Sequence, residues 1–343
     1  MTLESLLGIA HPLVLAPFGG VSSVALTAAV SDAGGLGSYG LYGYAPDRIR
    51  DTVAELRAAT AQPIAVNLWL PRGDEVHPGE VDVADAIAAI RPLFDELGAP
   101  VPELPEAFLP DVEEQLDAVI AARPDVLSVV FGVPATDHLE RLHAAGIRVV
   151  GTATTVDEAR ALAAGGVDAV VATGAEAGGH RVSWLRPAEE SLVGGLALIP
   201  QVVDAVDVPV IAAGGIADRR GVAAARALGA SGVQVGTAFL RTTLSAAPPS
   251  HRAAIASADE TVLTRAMSGR LARGIPNRAV RVIETAGAIA PFPAQNWLTG
   301  RFRAVAAAQD RGDLLSLWAG QGARLTRHDD VDAVFAELLA GWR

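Results

Sequence analysis

One unit recurs along this chain and restricts its fold more than any other feature: a short apolar run ending in glycine or a small residue, followed by an amphipathic, alanine-rich segment. Runs of this kind are Pro12 to Pro17, Ile64 to Leu68, Val126 to Gly132, Arg148 to Thr154, Asp168 to Gly174, Val208 to Gly215 and Gly232 to Leu240. Gly34 to Tyr39 supplies a short eighth, second in chain order. Their lack of polar alternation marks strands buried on both faces, as in parallel sheet. Between them, Thr154 to Ala164 reads as a helix, opened by Thr-Thr-Val-Asp-Glu and closed by Gly165-Gly166, with a capping pattern at both ends. Eight alternating units without reversal predict a closed (β/α)₈ TIM barrel over residues 1–240, against an open doubly wound sheet as the competing arrangement.

Two regions break the repeat. Pro71 to Pro110 is acidic and proline-rich around a helical centre at Val83 to Leu97, an elaborated connection after the third strand. Residues 241–311 hold arginine, alanine and proline without strand periodicity, and predict a smaller, mostly helical C-terminal region over the barrel mouth on the substrate side. Residues 312–343 regain apolar helix spacing from Leu314 onwards and should return to the barrel.

Composition narrows the chemistry. With no cysteine, thiolate catalysis, disulfides, thiolate metal sites and iron–sulfur clusters are excluded. All 27 basic residues are arginine, so Schiff-base chemistry, which needs a primary amine on a side chain, is excluded too. The seven histidines show no HxH or HExxH spacing, and no metal is expected. The 39 acidic residues leave a net charge of −12, which repels nucleic acid. Met1 to Ala10 has no basic leader and the long uncharged stretch Ser5 to Ser31 is broken by Pro12 and Pro17, so a cytoplasmic protein with no membrane partner is expected.

In such a barrel the reactive groups lie where strands end. Gly214-Gly215 and Gly236-Thr237 end the last two runs, where backbone N–H groups without a side chain in the way can close on a phosphate. After the sixth run, a small glycine-rich turn ends in His180, whose ordinary pKa of about 6.5 suits a base or an electrostatic partner near neutrality. Glu176, in the same turn, is expected to stabilise it. Asn67, Ser128 and Gln234 are polar groups on apolar strands and require a partner, whether ligand or neighbouring loop. Phe292 and Trp297 shape either the pocket or the core.

Four stretches together resemble the nitronate monooxygenase family, formerly the 2-nitropropane dioxygenases, nearly end to end. They are Ala16 to Gly37 (APFGGVSSVALTAAVSDAGGLG), Val171 to Arg181 (VATGAEAGGHR), Val210 to Thr237 (VIAAGGIADRRGVAAARALGASGVQVGT), and Met267 to Arg278 (MSGRLARGIPNR) with Ser316 to Ala323 (SLWAGQGA). The EAGGH stretch is shared with flavin enoyl-ACP reductases, and the two C-terminal pieces favour the monooxygenase side. The resemblance implies FMN held by Ala16 and Pro17, by Asn67, and by Thr173 and Gly178. It places the FMN phosphate against Gly214, Gly215, Gln234, Val235, Gly236 and Thr237, and makes His180 the catalytic histidine. Thr173 departs from the glutamine common in the family and puts that flavin contact in question.

The implied reaction is FMN-dependent oxidation of an alkyl nitronate, or of a nitroalkane, with O₂ to a carbonyl compound and nitrite. His180 would remove the α-proton or, as imidazolium, stabilise the anion. The partners are then a small anionic substrate and O₂, with oligomeric state, a homodimer included, left open. Competing readings are an NAD(P)H-dependent enoyl-ACP reductase-like enzyme, a non-redox barrel for a phosphorylated ligand, and a flavin-binding sensor.

Overall fold

The computed structural model describes residues 2–343. Its strands are β1 (Leu13–Leu15), β2 (Gly37–Gly40), β3 (Ile64–Trp69), β4 (Val126–Val130), β5 (Arg148–Ala153), β6 (Ala169–Thr173), β7 (Gly179–His180), β8 (Val210–Ala213), β9 (Gly232–Val235), β10 (Val262–Thr264) and β11 (Ala272–Gly274). Eight of them form one parallel sheet in the order β1-β9-β8-β6-β5-β4-β3-β2, and the parallel bridges Val14–Leu36 and Gly19–Gly40 join its two ends. The sheet is therefore closed, the (β/α)₈ TIM barrel the repeat predicts. The last apolar run behaves differently along its length: β9 stops at Val235, Gly236 leaves the extended region at φ −106° and ψ −74°, and Thr237–Leu240 form a helical turn.

Strand alternation sorts the barrel side chains into two apolar sets. Leu13, Leu15, Val66, Leu68, Leu127, Val129, Val170, Ala172, Val233 and Val235 belong to the core shared with the surrounding helices. Val14, Leu36, Ala65, Val126, Val150, Ala169, Val171 and Ile211 form the interior cluster, closed below by Leu3 and Leu7 of the helix Leu3–Leu7. Two residues further along the same inward rows the chemistry changes: Ser38, Asn67, Ser128, Thr152 and Thr173 follow Leu36, Ala65, Val126, Val150 and Val171, and all are buried. The apolar interior thus turns polar at the C-terminal ends of the strands, which identifies the mouth.

A second core lies apart from the first. The helix Ala84–Leu97 contributes Ile90, Leu93, Phe94 and Leu97, which pack with Ile283, Leu298, Phe302 and Leu314, Phe94 meeting Phe302 edge-on at 5.7 Å. At roughly 1.5–3 kcal/mol per fully buried large apolar side chain, this contact set holds the connection after β3 to the layer formed by residues 249–317. That layer contains the helices Pro249–Ala256, Arg278–Ala286 and Ala294–Ala308. It also contains β10 and β11, which pair antiparallel and add β7 as a third strand, a feature the sequence pattern does not predict. Strands of two and three residues are too short to show a period. The last helix, Val331–Ala340, buries Val331, Val334, Phe335 and Leu338 in the outer core of the barrel. No helix among the described residues is long and apolar enough to cross a membrane.

Candidate active site

His180 sits at the mouth, but not on a flexible turn. It lies in β7, opposite Ala272 of β11, and its neighbour Arg181 donates its N–H to the Leu271 carbonyl at 2.8 Å. Arg181 is itself buried and its guanidinium donates to the carbonyls of Gly174, Thr173 and Ser191. The loop before the histidine is fixed by Glu176, whose two carboxylate oxygens accept from the Gly195 N–H at 2.9 Å, at the start of the helix Gly195–Val203. Glu176 thus has the turn-stabilising role expected of it.

The ring of His180 stands in an aromatic box. Trp69 meets it edge-on at 4.9 Å and Trp318 at 5.4 Å, while Trp69 also contacts Tyr42 at 4.4 Å, Phe131 at 5.0 Å and Phe292 at 5.9 Å. Phe131 holds a left-handed backbone, φ +70°, uncommon for a bulky residue, and carries the Arg270 guanidinium 4.6 Å above its ring. Phe292 carries the same guanidinium at 3.9 Å, so it belongs to the site. Trp297 packs instead against Phe108. Arg303 is fastened by Asn296, Thr299 and Ser316, and Asn296 donates to the Tyr42 hydroxyl at 3.0 Å.

These neighbours set the charge state of the histidine. Its ring is partly open to the cleft yet enclosed by enough protein that desolvation, with Arg270 and Arg303 adding repulsion, lowers its pKa from 6.5 to about 3. Burial also pushes the Tyr42 hydroxyl up to about 12. His180 is therefore a neutral imidazole at physiological pH, and positive charge in the site comes from arginine. The tautomer follows from the hydroxyl it meets. Ser268 Oγ lies 2.8 Å from His180 Nε2 and donates to the Arg270 carbonyl at 3.1 Å. With its single proton committed there, Ser268 accepts from Nε2–H, and Nδ1 is left as the acceptor of the ring.

The expected cofactor residues gather at the same mouth. Asn67 Nδ2 donates to the Ser128 hydroxyl and carbonyl, at 3.0 and 3.2 Å, which explains the polar residue on β4 and leaves the Asn67 side-chain Oδ1 without a donor among the described residues. Gln234 is half-buried and its amide forms no hydrogen bond among the described residues. Gly214 and Gly215 have φ of +99° and +72°, a conformation that side chains oppose. The backbone N–H groups of Gly214, Gly215, Gly236 and Thr237 have no acceptor among the described residues. Ala16 and Pro17 are partly open beside them. Thr173 ends β6 opposite Ala213, with no bond from its hydroxyl. Val235 differs: its side chain is in the outer core and its carbonyl accepts from Ala16 N–H, so it faces the mouth with backbone alone.

Sequence reasoning assigns SLWAGQG no role beyond the resemblance, and the structure makes it a clasp. Gly320 N–H donates to the Thr237 hydroxyl at 2.9 Å, and Gln321 N–H to the Glu176 carbonyl at 2.9 Å. A Cβ on Gly178 would lie 2.6 Å from Ala319 C and Gly320 N, so the histidine loop and this segment touch backbone to backbone. Tyr42, Trp69, Ser268, Arg270, Arg303 and Trp318 are the site residues that strand-end reasoning missed. Ser268, Arg270 and Trp318 lie within the two C-terminal family stretches, and that was their only signal.

The geometry is that of relatives with known names. The nitronate monooxygenase family pattern matches residues 1–341. A probable nitronate monooxygenase of Staphylococcus aureus strain Newman is 38% identical over 98% of this chain and 96% of its own. The nitroalkane oxidase of Streptomyces ansochromogenes superposes with a TM-score of 0.89 at 34% identity, covering 99% of this chain and 97% of that one. FabK from Thermotoga maritima gives 0.76 at 28% identity, over 100% and 96%. A closed barrel whose mouth carries this histidine, and whose length aligns throughout with these proteins, belongs to the nitronate monooxygenase family of flavin-dependent oxidoreductases.

Proposed function

We propose that this protein oxidises alkyl nitronates with O₂ to a carbonyl compound and nitrite, using FMN. The observation that carries the reading is a neutral histidine between two tryptophans with Arg270 and Arg303 beside it. A small anion is drawn to such a site by the guanidinium charge of Arg303, which forms no ion pair among the described residues, with Arg270 held beside it by Asp74 and Glu75, and a nitronate needs no protonated imidazole to be held there. When a neutral nitroalkane enters, His180 Nδ1 is the free base for its α-proton, and the same arginines stabilise the anion that forms. Before that transfer an imidazolium in this position is disfavoured by the depressed pKa, so the proton taken on Nδ1 is held only while the newly formed nitronate lies against it.

The residues fit FMN. Unengaged N–H groups at Gly214, Gly215, Gly236 and Thr237 would hold its phosphate without lysine, which the chain lacks. The free Asn67 Oδ1 and Gln234 amide would meet ring and ribityl heteroatoms, with Ala16, Pro17, Thr173 and Gly178 along its edge. FMN supplies the electron acceptance for which no side chain here is equipped. The Tyr42–Trp69–Phe292 wall restricts the substrate to a small apolar body and limits water.

Anaerobic mixing tests the reading. Ethyl nitronate should bleach the visible flavin absorbance of the purified protein, whereas NADH should leave it intact. Bleaching by NADH and not by nitronate would assign the reductase chemistry instead. The higher identity and TM-score to the nitroalkane oxidase than to FabK support the first outcome.

A further inference from the structure

Beside the aromatic box, sharing Arg270 and Phe292 with it, lies a cavity of about 410 Å³ whose remaining lining takes no part in the steps above. Its wall contains five arginines, Arg72, Arg181, Arg186, Arg265 and Arg270, and a single carboxylate, Asp74. Ion pairs account for most of that charge. Arg72 and Arg270 are met by Asp74 and Glu75, Arg186 by Asp157 and Arg265 by Glu189. Arg181 is met by none: it donates only to carbonyls, and it is 2% exposed. Burial accordingly lowers its pKa to about 10.

The same wall holds a surplus of donors. Of the buried side-chain polar atoms without a hydrogen-bond partner among the described residues, Arg72 Nε, Arg181 Nε, Arg270 Nε and Trp184 Nε1 all belong to residues lining this cavity. Buried donors are normally satisfied, and four left over around one cavity, with one uncompensated positive charge, lack an acceptor that carries negative charge. The rest of the wall is apolar, with Leu271, Pro291 and Phe292 inside and Leu185 48% exposed at the rim. The volume exceeds what a bare oxyanion fills.

The geometry points to a second ligand site, separate from the amide groups of Gly214 and Gly236, for an organic anion: a carboxylate or phosphate monoester headgroup at Arg72, Arg181 and Arg270, with an aliphatic or aromatic body on the apolar wall. The site shares Arg270 and Phe292 with the proposed oxidation site, but its cavity and its donors at Arg72, Arg181 and Trp184 stand whatever the oxidised substrate is.

Octanoate, octyl phosphate, octanol and inorganic phosphate, titrated into the flavin-loaded protein with calorimetry and tryptophan emission, test the proposal. Octanoate or octyl phosphate should bind at least about tenfold more tightly than either octanol or inorganic phosphate, the tighter of the two naming the headgroup. Arg72→Met should weaken that binding about tenfold, Trp184→Phe should remove most of the emission change while preserving the heat, and Arg324→Gln, remote from the cavity, should change neither. Equal affinity for octanol would overturn the oxyanion site, and equal affinity for inorganic phosphate would overturn the organic body. Octanoate affinity unchanged in Arg72→Met would move the anion elsewhere.

Discussion

Acid should destabilise this protein through His180 over a range in which a solvated histidine contributes nothing. The unfolded chain carries an imidazole with a pKa near 6.5, whereas burial and the two arginines bring the folded value to about 3. Between those limits the unfolded state takes a proton that the native state refuses, so stability increases with pH across the window and the penalty is complete only below the lower limit. At ~1.4 kcal/mol per unit, moving from near pH 7 to near pH 4 costs at most about 3 kcal/mol through this group, and solvent contact of the partly open ring reduces that to the order of 2 kcal/mol. Urea unfolding of the wild type and of His180→Gln at several pH values reads the difference. His251, also buried with a pKa lowered to about 4, titrates in both proteins and cancels. The wild type should lose about 2 kcal/mol more than the variant over this range. Parallel losses would mean that His180 is an ordinary solvated base, and both the neutral-imidazole assignment and the arginine-charged site would fail.

His180→Asn should keep bound flavin and lower turnover of neutral nitroalkanes by about 10²-fold, with a smaller effect on preformed nitronates; equal losses on both would remove the base role. Gly178→Ala must push apart a pair of backbones that now touch, at a cost of about 1–3 kcal/mol, visible as a lower melting temperature together with faster flavin loss on dilution. A Gly236→Leu variant should retain the fold and lose FMN on gel filtration, since its Cβ would sit in ordinary contact, 3.4 Å from Ala16 Cβ and 3.5 Å from the Phe18 ring, while the longer side chain crosses the unengaged N–H groups.

The barrel was legible because its evidence is local and repeated. Each unit carries its own apolar run, cap and glycine, so Ile64–Trp69 and Val156–Ala164 fall within a residue or two of where their runs place them. The mouth was legible from the same register, since Thr173 and Gln234 occupy the last inward positions of their strands and Asn67 the last but one. What escaped is whatever depends on residues distant in sequence. Trp69 and Trp318 are 249 positions apart and touch the same imidazole, and Ser268 reaches His180 across 88 positions. Nothing in the neighbourhood of an isolated serine or tryptophan announces such a meeting. Strand β7 was hidden for a related reason: two residues, one a glycine, carry no pattern until β11 lies beside them.

The placement of the last helix has a consequence for biosynthesis. Val331–Ala340 lies against Arg219–Ala227 and Val24–Asp32, filling the gap between the first and last staves of the cylinder. A ribosome delivers this piece only after every strand of the barrel has been made, with Leu13–Leu15 and Gly232–Val235 waiting uncovered on that flank. Until Val331–Ala340 has emerged the nascent chain therefore exposes an apolar seam, and it is during that interval that assistance from a chaperone would matter most.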